Sequence, residues 1–152
     1  MSSSSISHLE DHLGYWLRLV SNHVSHAFKA KVEAHGVTVA EWVVLRILFT
    51  ADDINPSQIA EHLGMTRGAI SKLVDRLVDK KLVRIRVEKS DRRFQSILLT
   101  LAGRTIVPKL ASLADENDEE FFSSLNDKQR SQLAALLKQI VVDRGLKETP
   151  TT

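Results

Sequence analysis

The chain has 152 residues, 26% of them charged, with a formal net charge of +2 and no cysteine. That length suits one domain with a real core. The absence of cysteine excludes a disulfide framework, a cysteine-ligated metal site and thiol-based redox sensing, and it fits a reducing compartment.

The opening "MSSSSISHLEDH" has neither a basic n-region nor a continuous apolar stretch, so no secretory signal is expected. From residue 8 to 34, Leu9, Leu13, Trp16, Leu17, Val20, Val24, Phe28 and Val32 recur at three/four spacing, which predicts one long amphipathic helix. Gly36 is its expected C-cap. Thr38 and Glu41 fit a T-x-x-E capping box and open a second helix running to about Thr50. Its run "WVVLRILF" is the most apolar in the chain, but Arg46 interrupts it and nothing approaches the roughly 20 residues that span a bilayer. A soluble, cytoplasmic protein is therefore expected.

A third, short helix, "PSQIAEHL", opens with Asn55 as N-cap, Pro56 at its first position and Gln58 at its third. Gly64 closes it, and Thr66 caps a fourth helix reaching about Lys81. Ala60 is small where two helices approach closely, and Gly64 can take the positive φ of a sharp turn. Ile59, Leu63, Ile70, Val74 and Leu77 supply a shared apolar seam. This spacing predicts a helix-turn-helix. Its second helix offers Thr66, Arg67, Gly68, Ser71, Lys72, Asp75 and Arg76 on the outer face, donors and cations suited to base edges and phosphates. The competing reading is an ordinary solvated face.

Val83, Ile85 and Val87 alternate as in a strand, and "FQSILL" (94–99) returns as its partner. The tip between them carries Glu88, Lys89, Asp91, Arg92 and Arg93, far more charge than a turn requires. From Arg67 to Arg93 ten Lys or Arg stand against four Asp or Glu, whereas "ADENDEE" (114–120) is acidic. Such segregation suits a surface facing a polyanion, although two solvated faces would show it as well. Thr100 can cap a fifth helix, with an interruption and kink expected at Pro108. Asn126 and Gln129 form another capping box before a last helix whose Leu133, Leu136, Leu137, Ile140 and Val141 make one stripe. "GLKETPTT" reads as a tail.

The run "IAEHLGMTRGAISKLVDRL", then "KKLV", then Asp91-Arg92-Arg93, then "LTLAGR" resembles the MarR family of winged helix-turn-helix transcriptional regulators, over nearly the whole chain. The resemblance implies a mainly α fold with a small β-hairpin wing (α+β). A winged helix-turn-helix lobe at 38–100 is expected between dimerisation helices at 8–34 and 101–144, all within one domain spanning 1–152. It also implies a homodimer on a pseudo-palindromic operator in double-stranded DNA, expected to act as a ligand-responsive repressor. The wing's Val83, Ile85, Ile97 and Leu99 should pack on the helix-turn-helix. Arg93, with Arg92, should enter a minor groove, with Asp91 orienting the arginines. Where relatives carry Asp-Pro before this signature, "EKS" stands here. The expected DNA-binding set is Ser57, Thr66, Arg67, Gly68, Ser71, Lys72, Arg76, Lys89, Asp91, Arg92 and Arg93.

Relatives often hold a small aromatic or phenolic effector between their two lobes. Candidate pocket residues here are His12, Tyr15, Trp16, Trp42 and Arg46, with Phe49 one turn beyond Arg46. Arg46 beside aromatics could equally be a cation–π strut. The pairs His8/His12 and His23/His26 have ligand-like helical spacing, but no further ligand completes either, so no metal and no cofactor is expected. No hydrolase, phosphate-loop or dinucleotide motif is present, and an enzyme is not expected. The alternative function is a winged helix turned to protein binding, an anti-regulator. Acidic or apolar replacements on the fourth helix would mark it, and Arg67, Lys72 and Arg76 are basic.

Overall fold

The computed structural model describes residues 5–51, 53–87 and 95–152. In chain order the elements are α1 (Leu13–Glu33), α2 (Val39–Thr50), α3 (Pro56–Leu63), α4 (Arg67–Asp79), β1 (Val83–Val87), β2 (Gln95–Leu99), α5 (Leu101–Phe121) and α6 (Asp127–Arg144). The first helix starts later than its apolar spacing predicts. Leu9–Asp11 form a single 3-10 turn, and His12 is extended. The His8 N–H donates to the Asp11 carboxylate at 2.9 Å and the Trp16 indole N–H donates to the Glu10 carbonyl at 2.8 Å. These side-chain bonds offer the backbone a local alternative to another helical turn.

The expected caps form. Thr38 accepts from the Glu41 N–H while the Glu41 carboxylate accepts from the Thr38 N–H, and Asn55/Gln58 and Asn126/Gln129 repeat the arrangement. At the end of α1 the cap is Ala34, and Gly36 takes a positive φ of 77° two residues later. Gly64 closes α3 at φ 63°. Ile59, Ala60 and Leu63 then pack with Ile70, Val74 and Leu77 of α4 and Val44, Leu45 and Leu48 of α2 in one core. These three helices form the helix-turn-helix lobe.

The hairpin pairs β1 with β2 antiparallel, Val83 opposite Leu99 and Ile85 opposite Ile97. The Ile97 N–H donates to the Ile54 carbonyl at 2.9 Å, so the loop before α3 adds a rung on the inner side of β2. Val83, Ile97 and Leu99 are buried, but Ile85 is 40% exposed, against expectation. β2 lies against α2, α3 and α5 and β1 against α4, but beyond Val83 the side chains of β1 are exposed. Pro108 does not interrupt α5 either. Arg104, whose carbonyl loses its helical donor at Pro108, is exposed along with the proline, so water can satisfy the freed group.

Two contacts fix the wing root. The Thr100 hydroxyl donates to the Lys81 carbonyl at 2.7 Å, and the Thr100 N–H donates to the Leu82 carbonyl at 3.0 Å. The other end of the molecule is built from α1 and α5. Asn117, 3% exposed, donates its amide to the Val24 carbonyl and accepts from Lys31. Helix α6 buries no residue. Among the described residues, no helix is long and apolar enough to cross a membrane.

Candidate nucleic-acid interface

The period of α4 divides its side chains cleanly. Ile70, Leu73, Val74 and Leu77 are buried, while Arg67, Gly68, Ser71, Lys72, Asp75 and Arg76 are exposed. Thr66 caps the helix by accepting the Ala69 N–H at 3.1 Å, so its hydroxyl is part of the scaffold as well as of the outer rim. Among the described residues, Arg67, Lys72 and Arg76 have no ion-pair partner. An uncommitted cationic row on a rigid helix is what a phosphate-lined groove requires. Ser57 is exposed in the first turn of α3, where backbone N–H groups point outward and favour an anion. The wing-tip candidates Lys89, Asp91, Arg92 and Arg93 lie outside the described residues.

Among the described basic residues of the 67–93 stretch, two are not available to DNA in this way. Arg86 on β1 pairs with Asp53 in the loop before α3. Lys80, just after α4, donates to the Glu41 carboxylate and to the Gly36 carbonyl, both at 2.8 Å. Counting charges could not reveal this, because each partner lies more than thirty residues away in sequence. Glu41 itself is fully buried. Burial alone would raise its carboxyl pKa. The hydrogen bond from Lys80, the Thr38 N–H, the Lys80 charge and the Thr38 side chain outweigh that, and the carboxyl titrates below its ordinary value.

Of the five effector candidates, Trp42 alone lines one of the two clefts described next. Tyr15 and Trp16 stack edge to face at 5.1 Å, and the His12 ring meets the Leu9 carbonyl at 3.3 Å. Arg46 is exposed with its guanidinium 5.9 Å from the Phe49 ring, the geometry of a strut. Trp42 lines a cleft of about 300 Å³ with Val24, Phe28 and Asn117. A larger cleft of about 790 Å³ lies between α1, the start of α2 and Arg76, with His26, Lys29 and Thr38 on its walls. Its residues come from α1, the start of α2, α4 and the C-terminal Thr151 and Thr152, segments that sequence spacing does not relate. Among the described residues, no three His, Asp or Glu side chains cluster in a way that could hold a metal.

A helix-turn-helix with an outward cationic second helix and a following β-hairpin defines a winged-helix DNA-binding protein. Residues 35–93 match the model of the MarR family. The transcriptional regulator SarZ of Staphylococcus haemolyticus is 24% identical over 135 residues, covering 89% of this chain and 90% of that protein. Among solved structures, the Staphylococcus aureus MepR–DNA complex superposes with a TM-score of 0.76 at 26% identity, covering 87% of this chain and 98% of that one. CouR of Rhodococcus jostii bound to p-coumaroyl-CoA gives 0.74 at 26% identity, covering 89% and 95%. These similarities support a DNA-binding transcriptional regulator of the MarR type.

Proposed function

We propose that the protein works as a homodimer, binds an inverted-repeat operator in the cytoplasm, and represses transcription until a small aromatic effector releases it. The observation that carries the dimer is the uncovered apolar surface. Leu133, Leu136, Leu137, Ile140 and Val141 form one stripe on α6, and all are exposed, as are Leu13, Trp16, Leu17 and Val20 on α1. Two such stripes on the long terminal helices are more apolar surface than a monomer leaves in water without a partner. A two-fold pairing covers both at once and sets two α4 helices about 34–36 Å apart, one turn of duplex. In that arrangement α4 reads base edges through Thr66, Arg67, Gly68, Ser71, Lys72 and Arg76. Ser57 holds a phosphate, and Lys89, Asp91, Arg92 and Arg93 serve the wing.

The effector reading rests on the larger cleft, whose volume suits a small ligand. That MepR was solved on DNA and CouR with an aromatic thioester supports both halves of the proposal. Sedimentation equilibrium tests the dimer. The wild-type protein should sediment as a dimer, whereas Leu137→Asp with Ile140→Asp, both on the exposed stripe, should give a folded monomer with weakened DNA binding. A wild-type monomer with full DNA affinity would refute it.

A further inference from the structure

The recognition helix is anchored at its far end by a joint that DNA contact does not require. Lys80, one residue past α4, sends its ammonium to two acceptors, the Gly36 carbonyl and the Glu41 Oε1, each at 2.8 Å. Gly36 belongs to the elbow leaving α1, and Glu41 to the first turn of α2. The same Oε1 accepts the Thr38 N–H at 2.8 Å, while the buried Oε2 has no partner among the described residues. A fully buried carboxylate with one cation in reach tolerates few arrangements, because losing that cation leaves its charge uncompensated. Arg76, one turn before Lys80, and Thr38, whose N–H donates to Glu41, line the larger cleft beside this joint.

We propose that Lys80 is a positioning residue. Through Glu41 and Gly36 it fixes the tilt of α4 against the α1–α2 elbow, and thereby the half-site spacing that the paired protein accepts. This rests on the dimeric reading above. The leverage is large. Thirteen helical residues span about 19 Å, so a tilt of roughly 10° moves the reading end by about 3 Å, close to one base-pair step. The side chains that α4 presents are unchanged and an isolated half-site imposes no spacing, so its recognition should survive.

The test compares the wild type with Lys80→Met, Lys80→Arg and Glu41→Gln. Each is measured on an isolated half-site and on inverted repeats whose spacing is shortened or lengthened by one base pair. Glu41→Gln keeps an acceptor for the Thr38 N–H and guards against Lys80→Met failing to fold. The wild type should prefer one spacing. In Lys80→Met and Glu41→Gln that preference should shrink by about tenfold, with half-site affinity held within about twofold, and Lys80→Arg should restore it. An unchanged preference, or a loss equal across all spacings and the half-site, overturns the positioning role. A wild type indifferent to spacing overturns the dimeric reading and this proposal with it.

Discussion

Replacing Gly103 with alanine separates two opposing effects by sign. Gly103 sits in the first turn of α5, where helix propensity alone favours alanine by up to about 1 kcal/mol. Its position against the wing root points the other way. A Cβ there would lie 2.1 Å from the Leu82 carbonyl oxygen, 3.2 Å from its carbon and 3.1 Å from the Leu99 Cδ2. The closest obstacle is backbone, and that same carbonyl already accepts the Thr100 N–H at 3.0 Å. Relief requires the β1 root to move by more than 1 Å, against the buried Val83 and Leu99. Overpacking of this kind costs about 1–3 kcal/mol, and a rigid obstacle places it at the top of that range. After the propensity gain, a net loss of about 2 kcal/mol remains. For a chain of this size that lowers the melting temperature by about 4–8 °C. Thermal unfolding followed by circular dichroism reads the shift, and DNA affinity should fall with it as the wing is displaced. A melting temperature equal to or above the wild type would refute the steric reasoning.

Gly68→Ala provides the opposite case. Among the described residues its Cβ would meet only the Thr66 Oγ1, at 3.9 Å, so stability should rise by up to about 1 kcal/mol while DNA affinity falls. Undiminished binding would remove Gly68 from the contact set. Lys81 holds φ at 62°, a strain of about 1–2 kcal/mol. Lys81→Gly relieves it and loses about 0.4–1 kcal/mol to unfolded-chain entropy, so the urea midpoint should move up slightly; a fall would refute it. Glu41 titrates lower folded than unfolded, so its stabilisation is complete above the ordinary carboxylate range and is lost as pH falls through the folded pKa. Urea midpoints should therefore drop more steeply with acid in the wild type than in Glu41→Gln, and parallel curves would contradict that assignment.

The features legible in sequence were those decided by neighbours a few residues apart. Thr38/Glu41, Asn55/Gln58 and Asn126/Gln129 are local reciprocal bonds, and Gly64 closes α3 for a reason visible in its own turn. The outward row on α4 followed from helical period alone. What escaped was set by distant partners. Ile85 alternates correctly with Val83 and Val87, yet it is 40% exposed, and no local pattern says how far along β1 the core extends. Asn117 lies within an acidic run but is buried where α5 meets α1, bonded to Val24 and Lys31 some ninety residues earlier. The aromatic candidates on the first two helices are neighbours by spacing, whereas the clefts are built from chain segments that spacing does not relate.

Selection of bound duplexes from a randomised DNA pool, with the purified protein at a fixed salt concentration, tests dimeric operator reading most directly. The predicted result is enrichment of an inverted repeat whose half-sites are centred about one helical turn apart. Weak, salt-sensitive retention of all sequences alike, with no repeat enriched, would contradict it.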